Sequence, residues 1–157
     1  MTALEEVTIL QYDKKYDRDY RDLNLAWIEK YFKVEQHDLE QLENPDEYII
    51  SRGGYILFAR YNGKIVGTCA LIKTGEHEYE LAKMAVAEEA RGKHIGKKLG
   101  ESAIAFLKEK GAKRIWLESN RILTTALNLY TRLGFQEIPI TSTLYARADI
   151  KMELLIK

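Results

Sequence analysis

Arg91-Gly92-Lys93-His94-Ile95-Gly96 sets small and cationic side chains at the point where a helical repeat begins. Ile95, Leu99, Ala103 and Phe106 recur at three- and four-residue spacing, the pattern of an amphipathic helix. The first N–H groups of a helix have no intrahelical partner, and the helix dipole adds partial positive charge there. Gly92 and Gly96 leave this backbone uncovered, while Arg91, Lys93, Lys97 and Lys98 surround it with charge. The chemistry that suits is the holding of a phosphate or pyrophosphate. An ordinary amphipathic helix with a basic start has the same composition, so these residues alone leave both readings open. The two common phosphate loops do not match: there is no G-x-x-x-x-G-K-[ST] run, and no G-x-G-x-x-G opens a βαβ unit.

The elements that must position this loop read from periodicity. Val7 to Gln11 is a short first strand. Tyr20, Leu23, Trp27, Ile28 and Tyr31 give a helix from about Asp17 to Phe32, and Leu39 and Leu42 mark a weaker second one. Asn44-Pro45-Asp46-Glu47 has the order of a cap, a proline at the first helical position and acids in the first turn. Tyr55 to Arg60 and Ile65 to Lys73 are strands joined through Asn62-Gly63, a strong hairpin signal. Thr74-Gly75-Glu76 turns into the strand that ends at Val86. The basic helix stops near Lys110, before Gly111. Lys113 to Glu118 is the next strand, parallel to its predecessor because a helix carries the crossover. A helix over Thr124 to Leu133 stops at Gly134. Phe135 to Ile140 and Arg147 to Ile156 complete the chain. The order β-α-α-β-β-β-α-β-α-β-β predicts one domain over residues 1–157, with a mixed sheet flanked by helices.

Composition narrows the function classes. The 157 residues suit one domain with a sizeable core. Lys plus Arg equals Asp plus Glu, 24 each, so no global charge points to nucleic acid or to an acidic membrane surface. The single cysteine, Cys69, rules out an internal disulfide and reads as a buried structural thiol. His37, His77 and His94 lack ligand spacing, so no metal is expected. Met1 to Leu10 lacks the pattern of a signal peptide, and no apolar run approaches the ~20 residues of a membrane span. A cytoplasmic enzyme is the expectation, and a homodimer stays open.

The loop also carries a resemblance. Arg91 to Gly96 is similar to the [RQ]-x-x-G-x-[GA] signature of the GNAT superfamily of acetyl-CoA-dependent N-acetyltransferases, with His94 where glycine is usual. Ala126-Leu127-Asn128-Leu129-Tyr130 and Leu133-Gly134-Phe135 match the family's A-x-x-L-Y-x-x-x-G-F segment. The resemblance covers at least Gly54 to Phe135 and implies an α/β fold with a mostly antiparallel sheet, in the order read above. It implies transfer of the acetyl group of acetyl-CoA to a primary amine, on a small molecule or a peptide, without a metal. Its rival is a non-catalytic acyl-CoA-binding or sensing module, since fold does not fix function.

The resemblance further implies site residues. Arg91, Gly92, Lys93, His94, Ile95, Gly96 and Lys97 would hold the coenzyme pyrophosphate. The backbone of Met84, Ala85 and Val86 would bind the pantetheine arm where strand four splays from strand five, and stabilise the carbonyl oxygen. Asn120 would hydrogen-bond that arm, although many members carry the asparagine seven residues before the tyrosine, at Leu123 here. Tyr130 would protonate the leaving thiolate. Glu80 matches a general-base glutamate of the histone-modifying branch; an amine of pKa ~10.4 must lose a proton before it attacks. Trp27, Tyr31 and Phe32 would wall the acceptor site, with Glu35 and Asp38 nearby and Tyr145 closing the other side.

Overall fold

The alternating runs become strands and the three- and four-residue repeats become helices in the expected order. The computed structural model describes residues 6–157. The strands are β1 (Thr8–Gln11), β2 (Tyr55–Tyr61), β3 (Lys64–Gly75), β4 (Glu78–Val86), β5 (Arg114–Ser119), β6 (Gln136–Ile138) and β7 (Ile150–Leu155). The helices are α1 (Asp17–Tyr31), α2 (Gln36–Glu43), α3 (Ile95–Glu109) and α4 (Thr124–Leu133). The sheet order is β1-β2-β3-β4-β5-β7-β6. Its pairs are antiparallel except β4–β5, which is parallel with α3 in the crossover. Asn62 and Gly63 both take positive φ, 57° and 73°, as a two-residue hairpin turn requires.

Alternation along the strands divides the core between the two faces. Leu57, Cys69, Leu71, Leu81, Ile115, Leu117 and Met152 lie under α3 with Leu99, Ala103 and Leu107. Ile56, Phe58 and Ala70 lie under α1 and α2 with Tyr20, Ile28 and Leu42. Cys69 is fully buried, and burial pushes its thiol up to about 12, so it stays a protonated packing group.

Several stretches depart from their expected bounds. Asp46–Ile50 forms one wide π-helical turn, closed by Ser51 N–H to the Asp46 carbonyl at 2.8 Å, with Pro45 just before it. The turn buries Ile49 and stops against β3: a Cβ on Gly54 would lie 2.6 Å from the Leu71 carbonyl oxygen. β3 runs through Gly75, leaving Glu76 and His77 as the turn. β6 ends at Ile138 and β7 starts at Ile150; before β7 the Arg147 carbonyl accepts from the Asn120 side chain and not from a strand ladder.

The sheet opens at one place. β4 and β5 pair only over Glu78–Glu80 with Arg114–Trp116. Further along, Ala82 faces Ala70 and Ala85 faces Thr68, so β4 carries one residue more than β3 in this interval. Lys83 takes φ 52° there. Such a bulge bends its strand, and β4 and β5 diverge from this point.

Candidate functional site

A cleft of about 690 Å³ occupies the divergence, running from the aromatic end of α1 across β4 and β5 to the first turns of α3 and α4. At one end lies the basic loop. Gly92 has φ 82° and His94 φ 59°. Among the described residues, no hydrogen bond uses the N–H groups of residues 92 to 97 as donors, and His94 gives α3 no side-chain cap. The free N–H groups, the glycine backbone and the Arg91 and Lys97 side chains fit a pyrophosphate. Arg91, Gly92, His94, Ile95, Gly96 and Lys97 line the cleft; Lys93 does not, and its ammonium lies 5.3 Å from the Tyr61 ring centroid.

His94 stands where the resemblance has glycine, and it adopts the backbone that glycine would take freely. Histidine is among the few side chains enriched in this region, whereas a β-branched one is strongly disfavoured. His94→Val should lower stability by roughly 1–2 kcal/mol, and His94→Gly should not lower it. Urea unfolding of the three proteins checks this; equal midpoints would mean that the loop holds no backbone strain.

The middle of the cleft is β4 backbone and two carboxylates. Ala87 N–H bonds to Val66, so alternation turns the N–H groups of Val86 and Met84 toward the open edge. Met84 and Val86 line the cleft. Ala85 does not: it is buried and pairs with Thr68 in the β3 ladder, which corrects its expected place beside the cofactor arm.

Glu80 lines the cleft at the last paired position, opposite Trp116. Burial, then the negative charge of Glu118, raises its carboxyl to about 7, against smaller pulls from Lys83 and Lys151. Glu118 lies two residues beyond Trp116 on the same face of β5, and its Oε2 is buried with no hydrogen-bond partner. Sequence reasoning passed over Glu118. The signal was present: a carboxylate ends a strand expected to be parallel, and ligands gather at such ends. What was missing was the register that sets it beside Glu80.

Tyr130 faces the cleft from α4, its ring 6.1 Å from that of Phe135. Burial raises its hydroxyl to about 12, so it stays protonated at neutral pH. Asn120 also borders the cleft, but its side chain is occupied. Its amide donates to the Arg147 carbonyl at 2.7 Å and its oxygen accepts from Ile122 N–H at 2.9 Å. This is turn chemistry, and it holds the end of β5 to the segment before β7.

At the other end Trp27, Tyr31 and Phe32 form a cluster with ring centroids 5.4 to 6.4 Å apart, and all three line the cleft. Arg91 donates to the Tyr31 hydroxyl at 3.3 Å, and Lys30 pairs with Glu88, so the end of α1 is tied to the basic loop. Tyr145 closes the opposite wall, held by a polar cluster that the sequence did not reveal. Asp38, fully buried, accepts both terminal nitrogens of Arg147 at 2.7 and 2.8 Å, the Lys83 ammonium, and Glu35 N–H at 2.9 Å. Lys83 also donates to the Tyr145 hydroxyl at 3.0 Å. Burial alone would raise Asp38, but Arg147 and Lys83 outweigh it and bring the carboxyl to about 2. Lys83 shares Asp38 with Arg147, and burial holds its ammonium below the ordinary lysine value. Glu35 and Asp38 therefore hold the 145–147 segment in place and do not line the cleft.

Among the described residues, no three metal-ligating side chains gather, and no helix is long and apolar enough to cross a membrane.

This geometry has known counterparts. An acetyltransferase of the GNAT family from Staphylococcus aureus Mu50 superposes with a TM-score of 0.86 at 26% identity, covering 97% of this chain and all of that one. The fold of yncA from Salmonella typhimurium, solved with its cofactor acetyl-CoA, matches with a TM-score of 0.76 at 17% identity, over 97% of this chain and 95% of that one. In sequence, YjgM of Escherichia coli, named an uncharacterized N-acetyltransferase, is 30% identical over 131 residues, 81% of this chain and 76% of that protein. Camello of Xenopus tropicalis, named a probable N-acetyltransferase, is 31% identical over 100 residues, 62% of this chain and 46% of that protein. The match to the Xenopus laevis camello covers 60% of its length, so this chain spans about half of the camello proteins. The model of the acetyltransferase (GNAT) family matches residues 17–135. With that match over most of its length, the chain belongs to the acetyltransferase (GNAT) family.

Proposed function

We propose that this protein transfers the acetyl group of acetyl-CoA directly to a primary amine. The observation that carries the reading is the β4–β5 divergence. It joins the unbonded N–H groups of residues 92 to 97 to a cleft faced by Glu80 and Tyr130. Residues 91 to 97 other than Lys93 bind the pyrophosphate, and the thioester supplies the acetyl group. The Met84 and Val86 N–H groups offer donors to the carbonyl oxygen as it gains charge. Glu80 takes the first proton from the ammonium and passes it to water. The nitrogen then forms its bond to the acetyl carbon as the carbon–sulfur bond breaks. The nitrogen gives its second proton to water, and Tyr130 gives one to the sulfur and is reprotonated from that water, so one proton in all leaves to solvent. The sum is ammonium plus acetyl-CoA to amide, free coenzyme A and one proton.

Release of free thiol in the presence of an amine panel tests the proposal. Binding of acetyl-CoA without thiol release under any acceptor would return the chain to a sensing module.

Tyr130 has its own test. Tyr130→Phe keeps the ring against Phe135 and removes only the oxygen, so it separates chemistry from packing. A thiol has a reference pKa of ~8.5, so the thiolate already leaves fairly well. General-acid help is typically ~10²–10⁴-fold, and the lower end applies here. The expected result is a kcat loss of roughly 10-fold or more with unchanged cofactor affinity and thermal stability. Full kcat in single-turnover measurements would assign the proton to water.

A further inference from the structure

The middle of the cleft holds two carboxylates, and among the described residues neither has a salt-bridge partner. Glu80 accepts no hydrogen bond among the described residues, and Glu118 Oε2 is buried without a partner. Leaving such oxygens unpaired is costly, so a site built this way is completed by what binds in it. The nearby cations are engaged elsewhere. Lys83 and Arg147 are bonded to Asp38, and Arg147 also to Glu35. Lys151, the cross-strand neighbour of Glu118, places its ammonium over the Trp116 ring at 4.5 Å. Arg91 and Lys97 stand at the phosphate end. The Tyr145 hydroxyl is taken by Lys83 and Gln41.

Resting on the acetyltransferase reading, we propose that the acceptor is an aliphatic ammonium with no carboxylate within a few carbons of the reacting nitrogen, held between Glu80 and Glu118. A polyamine and a lysine side chain share this chemistry. A free amino acid does not, because its carboxylate would enter beside two like charges with no cation to receive it. Glu118 is then a binding group that sets specificity, and Glu80 is the one that removes the proton.

The test compares butylamine with 4-aminobutyrate, which differ by the carboxylate at the far end, in a thiol-release assay. Butylamine should show kcat/KM at least about 30-fold higher. Two further acceptors, 1,4-diaminobutane and Nα-acetyl-lysine amide, separate the polyamine from the lysine source by which has the higher kcat/KM. In Glu118→Gln the KM for butylamine should rise about 10-fold or more, with the KM for acetyl-CoA unchanged, and the discrimination against 4-aminobutyrate should narrow. Equal use of butylamine and 4-aminobutyrate by the parent overturns the inference while acetyl transfer stands. No transfer to any amine overturns both. The parent comparison decides alone if Glu118→Gln does not fold.

Discussion

Gly96→Glu should bind acetyl-CoA at least about 100-fold more weakly than the parent while keeping its fold. Gly96 is the second residue of α3, in the turn whose N–H groups face the cleft. Hydrogen bonds from such groups to a charged ligand are worth ~1.5–3 kcal/mol each, and losing two of them already gives the expected factor. The new carboxylate acts twice, by covering the N–H groups and by setting negative charge against the phosphates. The same carboxylate suits a helix N-terminus by ~0.3–1 kcal/mol, so loss of binding would not be loss of folding. A Cβ at this position meets only Leu129, at 3.4 Å, an ordinary contact. Gly96→Ala is therefore the control and should bind within a few-fold of the parent. Calorimetric titration of acetyl-CoA into both variants decides the matter; near-parental affinity in folded Gly96→Glu would move the pyrophosphate away from α3.

Residues whose neighbours in sequence are also their neighbours in space were the legible ones. The basic loop and α3 are continuous chain, so glycine, charge and helical period together located the loop that borders the cleft. Asn62-Gly63 and Gly111 were legible for the same local reason: their φ values follow from residue type. Pro45 shows the limit, since the wide turn at Asp46–Ile50 answers to where Ile49 packs and not to the cap sequence. The middle of the cleft depends on register. Glu118 meets Glu80 only because three residues pair between β4 and β5. Asp38 meets Arg147 across 109 residues and Lys83 across 45, and their spacing in sequence gives no hint of it. Ala85 shows the converse. A strand position adjacent to two cleft residues faces away, because alternation reverses each side chain. Trp27, Tyr31 and Phe32 carried two readings as sequence, core or acceptor wall. In the structure Trp27 and Phe32 pack against the α1–α2 core and all three line the cleft.

Glu80→Gln should lower kcat/KM by about 100-fold near neutral pH and remove the acidic limb of the pH–rate profile. The parent's limb should rise through about 7, where burial and the Glu118 charge place the carboxyl. Below that pH Glu80 is protonated and accepts nothing. Above it the carboxylate is free and the rate levels off until the amine itself loses its proton. In the variant only the amine's limb remains, rising toward ~10.4 for a lysine-like acceptor, so the two profiles should converge at high pH. The same residue has the opposite effect on stability. Its folded pKa is raised above the ordinary glutamate value, so between roughly 4.5 and 7 the native state binds more protons than the unfolded chain. Stability from this group is intact below that window and is lost as pH rises through it, by up to about 3 kcal/mol. Glutamine has no proton to lose. Glu80→Gln should therefore match the parent's stability near pH 4 and exceed it near pH 8, while being the slower enzyme at both. Thermal unfolding at the two pH values, beside pH–rate profiles, reads this crossing directly. Parallel stability curves and superimposable rate profiles would make Glu80 a solvated surface carboxylate with no part in proton transfer. A loss of rate without the stability crossing would leave Glu80 in the reaction with its carboxyl near the ordinary glutamate value. The crossing itself would show that the fold keeps a destabilising carboxylate where the reaction needs one.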